Sequence, residues 1–302
     1  MPDLSLIKDP EALENRYLDK VIVYVESEHD EEAYRRFAGP NVADRLEFKT
    51  PKLGGSGWEA VRDRVRDERP SNDNIYGLLD GEAAVHFDGW HGLIGCDRCL
   101  FQLTVADAEG LIFLNSHELE NLLLLYGDVC GLIVKDVRLS ELARHKPEQV
   151  REVLVEAARR FFAAAAMKYA AIELRRTGVD TVLFKIGKFL EPEQRSAVSL
   201  LCELRQEVKS QGLDWPRLRR EIRVIAARLR TRFKEENLEA ASQGDHYIRL
   251  ADGKGLISRL RQIYKSGGPW DGHLVDAVCK AAYAGDFRAQ LLEVTKADDG
   301  TQ

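Results

Sequence analysis

The run KVIVYVE, from Lys20 to Glu26, constrains the fold more than any other part of this chain. It is β-branched and apolar over the length of a strand buried on both faces. It leads straight into SEHDEEAYRRFAG, a helical pattern with Ser27 as a good N-cap and Gly39-Pro40 as a stop. The couple then repeats. Arg45 to Thr50 (RLEFKT) reads as a short strand, followed by Gly54-Gly55-Ser56-Gly57 and a helical segment from Trp58 to about Arg69. Asn74 to Asp80 (NIYGLLD) reads as a third strand and Gly110 to Asn115 (GLIFLN) as a fourth. Strands separated by short helices need right-handed crossovers, so the expected class is α/β, a mostly parallel sheet flanked by helices.

Between Gly81 and Glu109 the rhythm breaks, and the Gly-rich HFDGWHGLIGCDRC is expected to form a long functional or partner-docking loop. From about Leu139 the character turns helical. An Ala-rich helix is expected over Glu148–Arg176, ending at Gly178, with others over 193–210, 216–239, 255–264 and 274–283. The expected division is an α/β domain over 1–136 and a helical lobe over 137–302. No apolar run approaches the roughly 20 residues that cross a bilayer. The first residues carry acids and no apolar core, so no secretory leader and no membrane partner are expected. Five cysteines, an odd number thinly spread, point to a reducing, cytoplasmic setting.

Charge divides as the helices do. Residues 1–136 hold 14 basic and 27 acidic side chains, net −13, and residues 137–302 hold 30 and 23, net +7. An acidic half suits cations, and a basic half suits a polyanion.

Open parallel sheets carry their chemistry at the carboxyl ends of strands, and here those ends are acidic. The first strand ends in Glu26, with Asp30 one turn on; the third ends in Asp80-Gly81-Glu82; the fourth in Asn115, followed by His117-Glu118-Leu119-Glu120-Asn121. Carboxylates crowded on one rim repel unless a divalent cation compensates them. Oxygen-only ligation favours Mg²⁺ or Mn²⁺ over zinc.

The segments VESEHDEEAYRRF, GLLDGE and FLNSHELENLLLL resemble the OLD-type Toprim nuclease family over about residues 18–126. In that family a Glu closes the first strand, an Asp-x-Asp pair closes the third, and an acidic segment ending in Glu-Asn-hydrophobic follows the fourth. Glu26, Asp30, Asp80 and Glu120 match these positions. Ser27 stands where many relatives have Gly, and Glu82 where a second Asp is usual, which alters metal geometry rather than metal binding. The resemblance implies a Toprim-like sheet and an endonuclease working with two ions. Glu26, Asp80 and Glu82 would hold one, and Glu26 and Asp30 with Glu118 or Glu120 the other, as in two-metal phosphodiester cleavage. Glu118 and Glu120 lie two apart on a helix, so one of them is expected to face the metal. Related nucleases place a lysine at the scissile phosphate. Lys254, at an expected helix start, fits if about 246–265 folds back on the site. Glu26, Asp80 and Lys254 would then be the catalytic residues.

A Toprim domain with a helical second half is similar to the Toprim effectors of PARIS anti-phage systems. That implies an ABC-type ATPase partner, release as a homodimer, and cleavage of host tRNA. A DNA-cleaving OLD-type nuclease and an inert Toprim binding module stand as alternatives. Arg217 to Lys234 (RLRREIRVIAARLRTRFK) has eight bases and one acid around an apolar stripe, and Arg219, Arg220, Arg223 and Arg230 are its expected nucleic-acid contacts. His86, His91, Cys96 and Cys99 have zinc-like types at a spacing that matches no standard finger, so structural zinc is not expected. No Walker A motif follows the glycines at 54–57, so nucleotide-dependent control falls to a partner.

Overall fold

The computed structural model describes residues 20–51, 57–95, 103–106, 110–136, 146–179, 197–264 and 270–295. The chain begins with strand β1 (Val21–Tyr24), helix α1 (Glu28–Ala38), β2 (Leu46–Lys49), α2 (Trp58–Glu68) and β3 (Ile75–Leu79). It continues through α3 (Gly81–Asp88), α4 (Trp90–Gly95), β4 (Thr104–Ala106), β5 (Leu111–Phe113), α5 (Leu119–Tyr126) and α6 (Val129–Asp136). Then come α7 (Pro147–Arg176), α8 (Ala197–Ser210), α9 (Trp215–Glu235) and α10 (Ala240–Leu250). The last helices are α11 (Gly253–Tyr264), α12 (Trp270–Lys280) and α13 (Ala282–Thr295).

The chain divides into two units, and the boundary does not fall at 136. The first holds residues 1–79, 102–114 and 279–302; the second holds 80–101 and 115–278.

In the first unit the strands form one sheet in the order β2-β1-β3-β5-β4. The pairs β1·β2, β1·β3 and β3·β5 are parallel, and β4 runs antiparallel along β5 at the edge. The expected α/β class with a mostly parallel sheet is therefore present, with one short edge strand that the pattern did not announce. All four residues of β1 and all five of β3 are buried, as strands covered on both faces must be. Ser27 caps α1 by accepting from the Asp30 amide, and Gly39, at φ +76°, ends it in a conformation that L side chains resist. A Cβ on Gly77 would stand 2.8 Å from Val61 and 3.0 Å from Leu111, so glycine lets α2 and β5 close on β3. The C-terminal α13 also belongs here. Phe287 stacks on Tyr34 at 5.6 Å and meets Phe37 edge-on at 5.8 Å, which is why 279–302 leaves the helical lobe expected for it.

The second unit is helical and centred on α7. From Ala157 to Leu174 that helix is buried on nearly every side, so it shows no narrow apolar stripe and acts as a core helix. Helices α3, α6, α9, α10 and α11 pack against it. The stretch 81–95 is two helices, α3 and α4, rather than the expected loop, and the single helix expected over 216–239 is followed by a separate α10. Cys96, Cys99 and Gly54 to Ser56 lie outside the described residues. Among the described residues no helix is long and apolar enough to cross a membrane.

Candidate functional site

In the second unit the segment Asn115–Asn121 is clamped between the first turn of α3 and the α10–α11 junction. The Gly81 amide donates to the Ser116 carbonyl at 2.9 Å and the Glu82 amide to the His117 carbonyl at 3.1 Å. From the other side, the His117 amide donates to the Arg249 carbonyl at 2.8 Å. The buried Arg249 guanidinium returns bonds to the Asn115 carbonyl (2.9 Å) and side-chain oxygen (2.7 Å). Asn121 completes the clamp. Its Nδ2 donates to the Ile248 and Ala251 carbonyls at 2.6 and 2.8 Å, and its Oδ1 accepts from the Glu118 amide at 2.7 Å.

This clamp sets His117 among charged groups. The imidazole is 1% exposed. Its Nε2 lies 3.1 Å from Glu82 Oε2 and 3.8 Å from Glu118 Oε1, and its Nδ1 lies 2.5 Å from the Tyr169 hydroxyl. That hydroxyl is 3.2 Å from the Leu250 carbonyl, which can only accept. With the tyrosine proton directed there, Nδ1 donates to Tyr169 and Nε2 to the carboxylates, so the ring carries both protons. The electrostatics agree. Burial by itself would lower the His117 pKa, but the carboxylates of Glu82 and then Glu118 raise it above the ordinary value.

Lys168, on α7, also bonds Glu82 Oε2. Burial favours neutral Glu82, yet the charges of His117 and then Lys168 outweigh it and hold the carboxyl well below the usual range. Glu118 differs. Burial raises its pKa, opposed by His117 and reinforced by Asp252. Its Oε2 accepts from the Lys254 amide at 3.1 Å in the first turn of α11, where the helix dipole favours a carboxylate.

The expected site residues separate as follows. Glu82 and Glu118 come together, joined by His117. Asp80 precedes α3, and its Oδ1 accepts from the Leu119 amide at 3.1 Å, a positioning bond at the start of α5. Glu120 is buried, with its Oε1 3.9 Å from the Lys254 ammonium, so of the two alternatives Glu118 faces the cluster. The Lys254 side chain is 66% exposed; its backbone amide holds Glu118, and its positive charge favours the ionised Glu118 carboxylate. Residues 248–254 contact residues 115–121 through Ile248, Arg249, Ala251 and the Lys254 amide. Glu26 and Asp30 belong to the first unit, where the Asp30 carboxylate accepts from the Ser27 hydroxyl at 2.7 Å.

His117, Lys168 and Tyr169 went unassigned in the sequence. The signal for Lys168 was a lone ammonium in the apolar stretch FFAAAAMKYAAI; for His117 it was a histidine inside HELENLLLL.

No model of a known protein family matches this chain, and no curated protein matches it.

Glu82, His117 and Glu118 each offer a ligand atom, and these lie within 4.8 Å of one another. The set fits a single divalent cation on condition that His117 gives up its Nε2 proton and Lys168 releases Glu82. Two carboxylates and one imidazole suit Mn²⁺ better than an all-oxygen Mg²⁺ site. Among the described residues a second such group, as a two-ion arrangement would need, is not found. His86 lies on α3 and His91 on α4, stacked against Trp90.

Proposed function

We propose that this chain is a metal-dependent endonuclease of the Toprim type. The observation that supports it is the convergence of Glu82, His117 and Glu118, two of them expected metal ligands, directly after two adjacent parallel strands. A cation bound there would polarise a phosphate oxygen and supply a nucleophile at neutral pH. The chain's own groups hold the arrangement. Tyr169 fixes the His117 ring through Nδ1, an outer-shell role typical of ligating histidines. The first turn of α11 holds Glu118, and Asp80 anchors the start of α5. Lys168, once free of Glu82, supplies an ammonium for a phosphate oxygen. Glu26 enters through the resemblance alone.

By the same resemblance the enzyme is the toxic effector of an anti-phage system. It is held by an ABC-type ATPase, released as a homodimer, and acts on tRNA. The test is expression of wild type, Glu82→Ala and Glu26→Ala, with and without such an ATPase, read on a total-RNA gel. Discrete tRNA fragments from wild type and none from Glu82→Ala are expected. Nicked DNA with intact RNA would transfer the activity to DNA. One observation favours an inert binding module: Glu82 is already neutralised by two protein cations. Cleavage of neither nucleic acid would establish that reading.

A further inference from the structure

Helix α9 buries Trp215, Leu218, Ile222, Ile225, Leu229 and Phe233 on one side. At about 100° per residue, Arg219, Arg220, Arg223, Arg230 and Lys234 fall within an arc of about 100° that flanks the buried side. All five are exposed. From 219 to 234 the line is about 22 Å long at about 1.5 Å per residue.

Apart from Arg217, which lies in the first turn outside this arc, the other charges of this helix are engaged. Arg232 is buried, donating to the Ile94 carbonyl at 2.8 Å and to Glu236 at 2.7 Å. Arg228 lies 3.4 Å from Glu235, and Glu221 accepts from the Trp90 indole at 2.6 Å. The five outward bases have no acid within ion-pair distance among the described residues. Elsewhere on the chain, Arg35, Arg64, Arg160 and Arg176 each meet a glutamate three or four residues away. Arg219/Arg223 and Arg230/Lys234 instead form like-charge pairs four apart, which weaken a helix. In a chain with 50 acids and 44 bases, a line of bases that meets no acid among the described residues calls for an external anion.

We propose that this face is a docking site for the phosphate backbone of a base-paired RNA stem. A paired stem presents its phosphates in a rigid line, so a rigid helix meets them with little ordering cost. The deep, narrow major groove of paired RNA keeps these side chains from the base edges, so the face holds backbone and leaves choice of the cleaved bond to other parts of the chain. The choice of RNA rests on the nuclease reading above; the phosphate chemistry does not.

The test is fluorescence anisotropy of the full chain with labelled RNA duplexes of two unrelated sequences, in EDTA so that binding is read without cleavage. Five phosphate contacts give a log–log salt slope of about −4.5, and Arg223→Gln with Arg230→Gln reduces it by about 2. The two sequences bind within about twofold, and Arg35→Gln with Arg160→Gln leaves the slope unchanged. An unchanged slope in the Arg223/Arg230 variant overturns the proposal. So does equal loss of binding to polyglutamate, which would mark an acid-binding protein face, or tighter binding of duplex DNA of the same sequence. Glu82→Gln separates the two readings: it keeps this binding while losing cleavage, so either can fail alone.

Discussion

The Nε2 of His117 stands 3.1 Å from Glu82 Oε2, and the ammonium of Lys168 bonds that same oxygen. One carboxylate is thus shared by two protein cations, His117 on the segment tied down by main-chain bonds and Lys168 on α7. Any divalent ion that enters must replace both.

Metal entry therefore releases a proton. His117 is held protonated above its ordinary range by Glu82 and Glu118, against the effect of burial. Binding of Mn²⁺ at pH 7 should release about one proton, read by calorimetry in buffers of different ionisation enthalpy. Affinity should rise about tenfold per pH unit until His117 deprotonates. A pH-independent affinity would remove His117 from the ligand set.

Lys168 competes with the ion for Glu82. Lys168→Met should tighten Mn²⁺ binding about tenfold by removing one competing cation, a change of about 1.4 kcal/mol. Cleavage at saturating Mn²⁺ should nonetheless fall about 10²-fold, the scale of losing one charged contact to the reacting phosphate. Unchanged cleavage would leave Lys168 as a resting counter-ion only.

Asn121 ties the backbone of Glu118 to two carbonyls at the end of α10 while fully buried. Asn121→Ala strands the Glu118 amide and the Ile248 and Ala251 carbonyls, at about 2–4 kcal/mol for unsatisfied buried groups. Thermal unfolding should show a clear drop in Tm, accompanied by lost Mn²⁺ affinity as Glu118 loosens. Wild-type stability would mean water replaces the amide.

His246 carries a different pH dependence. Burial, then the charges of Arg249 and Arg232, push its pKa down to about 3. Folded His246 stays neutral while the unfolded chain takes up a proton below about 6.5. Its contribution is therefore complete above that pH and is lost as pH falls from 6.5 toward 3, at about 1.4 kcal/mol per pH unit. Denaturant titrations of wild type and His246→Phe should differ in slope over that window. Parallel curves would place the acid sensitivity elsewhere.

Much of the fold could be read along the chain because its signals are local. The apolar runs at 21–24 and 75–79, the Ser27 cap, the Gly39 stop and the long Ala-rich helix need only near neighbours to declare themselves. The edge strand β4 and helices α3, α4 and α10 did not, being short and weakly patterned. Strand-end acids likewise pointed to Glu82 and Glu118. Only tertiary packing decided that His117 joins them, that Lys168 shares Glu82, and that Asp80 and Glu120 stand outside that group. Glu118 and the Lys254 amide that holds it stand 136 residues apart in sequence. Local periodicity places a side chain on a face, but a buried charge finds its partner only when the core closes around it.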